Sequence, residues 1–354
     1  MAKPRVFSEP DSEAGIYHIV SRVVDRRHIF GPEEKEVFLR MLFAAAALHQ
    51  IEILTFCLMS NHFHLMARVP RRPAGFDLTL ERVVELWSRT VGSASRRSQQ
   101  RRFAMFRENG CEVFMETWRQ RRLARMFSLT EFVKTLKQSF TQWYNRREGR
   151  TGTLWERRYG STIVAPEATA LRTVAAYIDL NPVRAGIVDD PAGYRWCGYA
   201  EAMAGKTEAL DGLAAVTGSL PKRGRSSSVD SPEETENPTA RRRRLRRSLV
   251  LYRQILGLAG RPRLAEDGTM LRRGMSAQTR ERLASVHGIR TEMLRRRVRH
   301  LTAGVVLGSR EFIDEWFKRN RNWFAGQSRE HRATGARSMG RAWGPLCSLR
   351  RLHE

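Results

Sequence analysis

His62-Phe63-His64 is the stretch of this sequence best placed to do chemistry. Two histidines stand two residues apart, with a phenylalanine between them. Apolar, β-rich runs flank them, Ile51 to Met59 before and Leu65 to Val69 after. Residues i and i+2 of a strand point to the same face. Both imidazoles would therefore project from one side of a strand while Phe63 projects into a core. Neutral imidazole is a common ligand for divalent metals, so the pair is the start of a metal site.

A second constellation lies more than a hundred residues on, in Leu171 to Asn181. Its apolar periodicity reads as a helix, on which Tyr177 and Asn181, four apart, share a face. If that face meets the histidine strand, two imidazoles and the Asn181 amide oxygen would hold a divalent cation. Tyr177 would supply a nucleophile able to form a covalent intermediate with a phosphodiester. Tyr144, in Trp143-Tyr144-Asn145, is a rival nucleophile, although its aromatic surroundings suit packing. Asp179 points away from Tyr177 and Asn181 on a helix and is left out of the site.

The elements that must position these residues read in the order β-α-β-β. Ile16 to Val23 is the first strand. A helix opens at Pro32-Glu33-Glu34, with acid in the first turn where the helix dipole favours it, and runs to about Leu48. Ile51 to Met59 and His62 to Val69 are the next two strands, joined by Ser60-Asn61. An insertion of about 71–127 follows. It is helical around Leu80 to Val91 and polar and Arg-rich, in the manner of a loop, at 93–110. Ser128-Leu129-Thr130-Glu131 is a capping box that opens a helix to Arg147. Ser161 to Val164 is a short strand. The helix from Pro166 to about Leu180 stops at Asn181-Pro182, because the residue before proline is pushed out of helical geometry.

Composition sets the partner class. The 354 residues carry 63 Lys and Arg against 37 Asp and Glu, a formal net charge of +26. That excess favours a polyanion, with nucleic acid ahead of a membrane surface. Arg146, Arg147, Arg150, Arg157 and Arg158 crowd a glycine-rich turn and read as phosphate contacts, with Trp155 among them as a stacking platform for a base. Four scattered cysteines without a CxxC pair argue against a zinc ribbon or a disulfide scaffold. No apolar run approaches about 18 residues, and Met1 to Glu9 has no signal-peptide core. The expected location is the cytoplasm, at the nucleoid, with no membrane partner.

Three regions emerge. Residues 1–220 form a catalytic domain, 221–240 a disordered linker almost without apolar side chains, and 241–354 a basic, mainly helical C-terminal region. Within the last, Leu249 to Leu258, Gln278 to Val286, Thr291 to Val298 and Arg310 to Arg319 are helical candidates. Gln278 to His300 is a weak match to a helix-turn-helix.

Taken jointly, four motifs resemble the HUH single-tyrosine transposases, and more closely their REP-associated tyrosine transposase branch. They are Tyr17-His18-Ile19-Val20-Ser21-Arg22, Met59-Ser60-Asn61-His62-Phe63-His64, Gly152 to Tyr159, and Tyr177 to Gly186. The resemblance covers about residues 10 to 200. It implies an α+β fold with a ferredoxin-like antiparallel sheet and helices on one face, to which the mainly helical C-terminal extension is added. It further implies Mg²⁺ or Mn²⁺, single-stranded or hairpin DNA as substrate, and a 5′-phosphotyrosine intermediate. By position, His62 and His64 match the metal histidines, Tyr177 the nucleophile and Asn181 the third, polar ligand. The expected activity is site-specific nicking and strand transfer. Two alternatives stand: a DNA-binding regulator of repeat elements that has lost cleavage, and a metal phosphodiesterase that uses water. The long 71–127 insertion and the C-terminal extension leave target choice open, and with it whether the chain acts as a monomer or a homodimer.

Overall fold

The structure is a computed structural model that describes residues 14–218, 237–265, 268–284, 304–320, 337–338 and 346–350. Strand β1 (Ala14–Arg22) lies between β3 (His62–Pro70) and β4 (Gly160–Val164), antiparallel to both. Strand β2 (Glu52–Leu58) pairs antiparallel with the outer side of β3, with a register shift between Ile53 and Thr55. The order β2-β3-β1-β4 is the ferredoxin-like arrangement, and helix α1 (Pro32–His49) makes the crossover from β1 to β2. Proline in its first turn and Glu33 and Glu34 beside it start α1 where expected.

Helices cover both faces of this sheet rather than one. The alternation of β3 shows why. Phe63, Leu65 and Ala67 enter one apolar core with Phe38 and Leu42 of α1. Helix α5 (Leu129–Arg147) closes that core with Phe132, Leu136 and Phe140. Its start is the Ser128 cap, whose hydroxyl accepts from the Glu131 amide at 3.3 Å. Met66 and, from β1, Ile16 enter a second core on the opposite face. There α6 (Ala168–Asp179) packs with nearly every residue from Ala170 to Asp179 buried. A helix buried all round needs small residues, and ATALRTVAAYID supplies them. As expected, α6 ends before Asn181-Pro182, and a separate turn, α7 (Asn181–Arg184), begins there.

The insertion is three helices, α2 (Leu80–Ser88), α3 (Ser93–Glu108) and α4 (Val113–Leu123). They form a third, small core in which Val83, Leu86 and Leu123 meet Leu48. The stretch 93–110, expected as a loop, is mostly α3. Only Gln99 and Phe103 of that helix are buried, too few to leave an apolar period, but its arginines, glutamines and alanine are strong helix formers.

On the α6 side follow α8 (Gly198–Met203) and α9 (Thr207–Thr217). Gly212 lets α9 lie directly on β2, since a Cβ there would stand 2.4 Å from the Leu54 carbonyl oxygen. Helix α10 (Pro238–Ala259) packs on α6 and α9. After it come a short hairpin, β5 (Arg263–Leu264) with β6 (Met270–Arg272), and α11 (Ala277–Ala284). Strand β7 (Gly304–Gly308) extends the main sheet, parallel to β4. Residues after 237 thus enter both cores, with Tyr252 and Leu256 on the α6 side and Ile313 and Trp316 on the α1 side, and lengthen the sheet. Of the expected linker, 221–236 lies outside the described residues. So does 285–300, with the second half of the helix-turn-helix candidate and the Thr291 to Val298 helix. Arg310–Arg319 is helical as expected. Among the described residues no helix is long and apolar enough to cross a membrane.

Candidate active site

The first residues of β3 present His62 and His64 toward α6, opposite Arg22 and Val20 of β1. Two positions before Val20, and so on the same face, β1 carries His18. Its Nε2 lies 3.0 Å from Nδ1 of His64, and the two rings stack with centroids 5.3 Å apart. The neighbouring His62 and His64 rings meet edge to face at 5.1 Å. The site therefore holds three imidazoles, not the two that spacing revealed.

Hydrogen bonds fix how these rings are used. Asn61 donates its amide Nδ2 to the Arg26 carbonyl at 2.9 Å, which turns Oδ1 toward His62 Nδ1 at 2.7 Å. An amide oxygen only accepts, so His62 Nδ1 carries the proton and Nε2 keeps its lone pair. Burial, aided by Arg22, lowers the His62 pKa to about 4. Burial also holds His64 well below its ordinary value, with His18, His62, Arg22 and Arg184 adding to the effect. Both rings are neutral at pH 7, the form that binds a metal. When His64 donates its Nδ1 proton to His18, its Nε2 likewise presents a lone pair. A second polar group on the far nitrogen of each ligand is the usual support of a metal histidine. Among the described residues no group of three or more His, Cys, Asp or Glu is arranged to close a metal cage. The donor set thus fits a cation bound by two imidazoles that takes its remaining ligands from an amide, from water or from substrate.

Tyr177 comes from α6 to the same place. Its ring stands edge-on to His64 at 5.5 Å and to His18 at 5.8 Å, and only 6% of it is exposed. Burial raises its pKa, and Arg184, Arg22 and Arg272 pull it back. The Arg184 guanidinium lies 4.8 Å from the Tyr177 ring centre and donates to the Tyr177 carbonyl at 3.1 Å. Burial lowers Arg184 itself to about 9, so it remains a cation at neutral pH. These cations make the site a receptor for an anion.

Asn181 sits one turn beyond Tyr177, and its Nδ2 donates to the Tyr177 and Ile178 carbonyls at 3.0 and 3.1 Å. Two carbonyl partners identify that atom as nitrogen and leave Oδ1 as the acceptor. Asp179, between them in sequence, is fully buried on another side of α6. It accepts from Thr55 Oγ1 of β2 at 2.9 and 3.0 Å, from the Tyr199 amide at 3.1 Å and from the Tyr252 hydroxyl of α10. Burial raises its pKa to about 7 against the pull of those donors. Asp179 anchors the helix that bears Tyr177. The rival Tyr144 is buried beside Phe140 in the core on the opposite face, away from the histidines.

The basic turn is built differently from its sequence reading. Trp155 is 7% exposed and sits among Phe30, Phe38, Phe63 and Phe140, with Nε1 donating to Thr141 Oγ1 at 2.9 Å. Most of it is packed in the core, and what remains accessible lines a groove along α5, with the Lys137 ammonium 5.1 Å from its ring centre. Arg147 is held by Glu34 at 2.7 Å and Glu33 at 3.2 Å, acids of the α1 first turn, which diverts it from phosphate. Arg146, Arg157 and Arg158 are exposed, and Arg150 is half-buried. Arg157 and Arg158 border that groove, of 760 Å³, opposite Lys134, Lys137 and Gln138. Those α5 residues were not singled out in the sequence; their outward spacing of three and four looks like any solvated helix face.

Residues 12–79, which span β1, α1, β2 and β3 with His18, His62 and His64, match the family model of IS200-like transposases. Tyr177 and Asn181 lie beyond the matched residues. Among solved structures, the chain is similar to a REP-associated tyrosine transposase bound to a REP hairpin. The likeness has 11% identity and a TM-score of 0.37 over 58% of this chain and 86% of the other. No curated protein matches the chain.

Proposed function

We propose that this chain nicks and rejoins single-stranded or hairpin DNA through a covalent bond to Tyr177. The observation that supports this best is the meeting of three elements: Tyr177 on α6, His64 on β3 and His18 on β1, with ring centres 5.5 and 5.8 Å from the tyrosine. The Tyr177 oxygen attacks the scissile phosphorus, the bond to the 3′ oxygen breaks, and the 5′ phosphate stays on the tyrosine. Attack by the freed or a new 3′ hydroxyl reverses the step, and the DNA linkage is kept without hydrolysis. Arg184, over the ring, stabilises the phenolate as it forms, and Arg22 adds charge beside the histidines.

His62 and His64 are the residues that would hold Mg²⁺ or Mn²⁺, with the Asn181 oxygen as the third protein ligand. Such an ion would polarise the phosphate and offset charge that develops on it. Asn61 and His18 fix the two imidazoles in their binding orientation. The exposed Arg146, Arg157 and Arg158 would contact the DNA backbone, together with Lys134 and Lys137 of the α5 groove. Trp155 and Arg147 hold that surface in shape. Arg150, whose guanidinium lies 5.9 Å from the Tyr144 ring centre, would reach it from the turn.

The test uses 5′- and 3′-labelled hairpin oligonucleotides with Mn²⁺ or with EDTA, run on a denaturing protein gel. A Mn²⁺-dependent adduct that keeps the label 3′ of the nick supports the reading. Nicking with free 5′ phosphate and no adduct would assign the attack to water, and binding without nicking would make the chain a regulator.

A further inference from the structure

Helix α10 has two unlike faces. Leu245, Ser248, Tyr252, Ile255, Leu256 and Ala259 are buried against the rest of the fold. Arg242, Arg243, Arg246 and Arg247 are exposed on the other side, along a groove of 580 Å³ that continues past Val250. Among the described residues none of these four has an ion-pair partner; the nearby Arg241 pairs with Asp211 at 2.6 Å instead. Arg242 to Arg246 and Arg243 to Arg247 are each four residues apart, about 6 Å along the axis. Four unpaired guanidinium groups so close together repel one another unless an anion lies between them. Guanidinium forks match phosphate oxygens two at a time, so a chain of phosphates answers both the charge and the spacing.

A second observation places this face in relation to the active site. Tyr252, on the inner side of the same helix, donates its hydroxyl to Asp179, two residues from Tyr177. The carboxylate is shared with Thr55 of β2 and the Tyr199 amide. One buried group therefore fixes α10, α6 and the central sheet to each other.

We propose that the arginine face of α10 is a clamp for the phosphate backbone of the DNA on which the Tyr177 site acts, held at a fixed offset from Tyr177 by the Tyr252–Asp179 bond. The identity of the cargo rests on the proposed function; the clamp itself does not. Loss of the four charges removes sequence-independent affinity. Loss of the Tyr252 hydroxyl leaves affinity in place and loosens the register between clamp and nucleophile.

The experiment uses the full chain with Arg242, Arg243, Arg246 and Arg247 all changed to alanine, which keeps helix propensity. A fluorescent hairpin oligonucleotide with a single-stranded flank is titrated by anisotropy across a salt series, and stem and flank are then titrated separately. Each lost phosphate contact flattens the plot of log K against log salt by about 0.7 to 0.9, so the slope should fall by about three with the melting curve unchanged. Whichever of stem or flank shows the loss is the part the clamp holds. A slope unchanged on both, in a folded variant, overturns the clamp. Tyr177→Phe should leave the wild-type slope intact, so loss of the covalent chemistry cannot be mistaken for loss of the clamp. Tyr252→Phe should keep the slope and lower nicking per bound complex; nicking at the wild-type level overturns the tie to the active site.

Discussion

The two faces of the central sheet are built from the same strands and do opposite things. Toward α1 and α5, β3 sends Phe63 and Leu65 into an aromatic core of Phe30, Phe38, Phe140 and Trp155. Toward α6, alternate residues of the same strand send His62 and His64 into a cluster with His18, Tyr177 and Arg184. One face is apolar, and its energy is area removed from water. The other keeps buried polar groups whose every bond must be matched. The contrast teaches that the period-two alternation of a strand lets a single segment serve as both foundation and site, and that the foundation holds the imidazoles still.

The comparison breaks most visibly at Tyr177. Tyr177→Phe removes one hydroxyl and no packing area. It should cost several orders of magnitude in nicking, as removal of a nucleophile does, with DNA binding and melting temperature near wild type. On the other face, Phe140→Ala should do the reverse. A fully buried phenylalanine lost from a core costs about 3–5 kcal/mol, read by denaturant unfolding, while nicking per folded molecule stays close to normal. A large specific loss of nicking there would show that the two faces are not separable.

Asn61→Ala sharpens the same contrast within the polar face. It leaves His62 in place and removes the acceptor that orients its ring. Metal affinity, measured by Mn²⁺ titration, should fall by about 10- to 100-fold, and nicking should recover at high Mn²⁺. No rescue at high Mn²⁺ would count against an orienting role.

The smallest expected effect is a pH dependence away from the site. His49, at the end of α1, is bound to Thr135 Oγ1 at 2.8 Å and the Arg125 carbonyl at 3.0 Å. Burial lowers its pKa. As pH falls through the unfolded value of about 6.5, the unfolded chain takes up a proton that the folded chain refuses, so stability drops on acidification. His49→Gln should flatten the slope of stability against pH just below 6.5. An unchanged slope would place the acid sensitivity elsewhere.

Much of this was legible in the chain itself. The β-α-β-β order, the bounds of α1, the Ser128 cap and the stop at Asn181-Pro182 follow from local chemistry, and the structure has each of them. His62, His64 and Tyr177 were legible as residue types at telling spacings, and the structure brings them together. His18 was quoted within a motif, but its part in the site depends on the register of β1 against β3, a pairing 46 residues apart that no spacing reveals. Arg22 was quoted in the same motif and Arg184 in the motif that carries Tyr177, but neither was given a part in the site; for Arg184 that part is local, seven residues from Tyr177. Trp155 could be read either way, because a tryptophan among arginines looks alike in a core and on a binding surface; only the fold shows four aromatic neighbours around it at the floor of the groove. The parallel strand β7, from beyond residue 300, is short and apolar with no local sign of its partner.

The most direct test of the account is to find where the DNA is attached. Wild-type chain is incubated with the hairpin oligonucleotide and Mn²⁺, digested with protease and nuclease, and analysed by mass spectrometry. The account predicts a nucleotide linked by its 5′ phosphate to the peptide that contains Tyr177, absent with EDTA and absent in Tyr177→Phe. Attachment at Tyr144 or any other residue, or nicked DNA with no modified peptide, would contradict it.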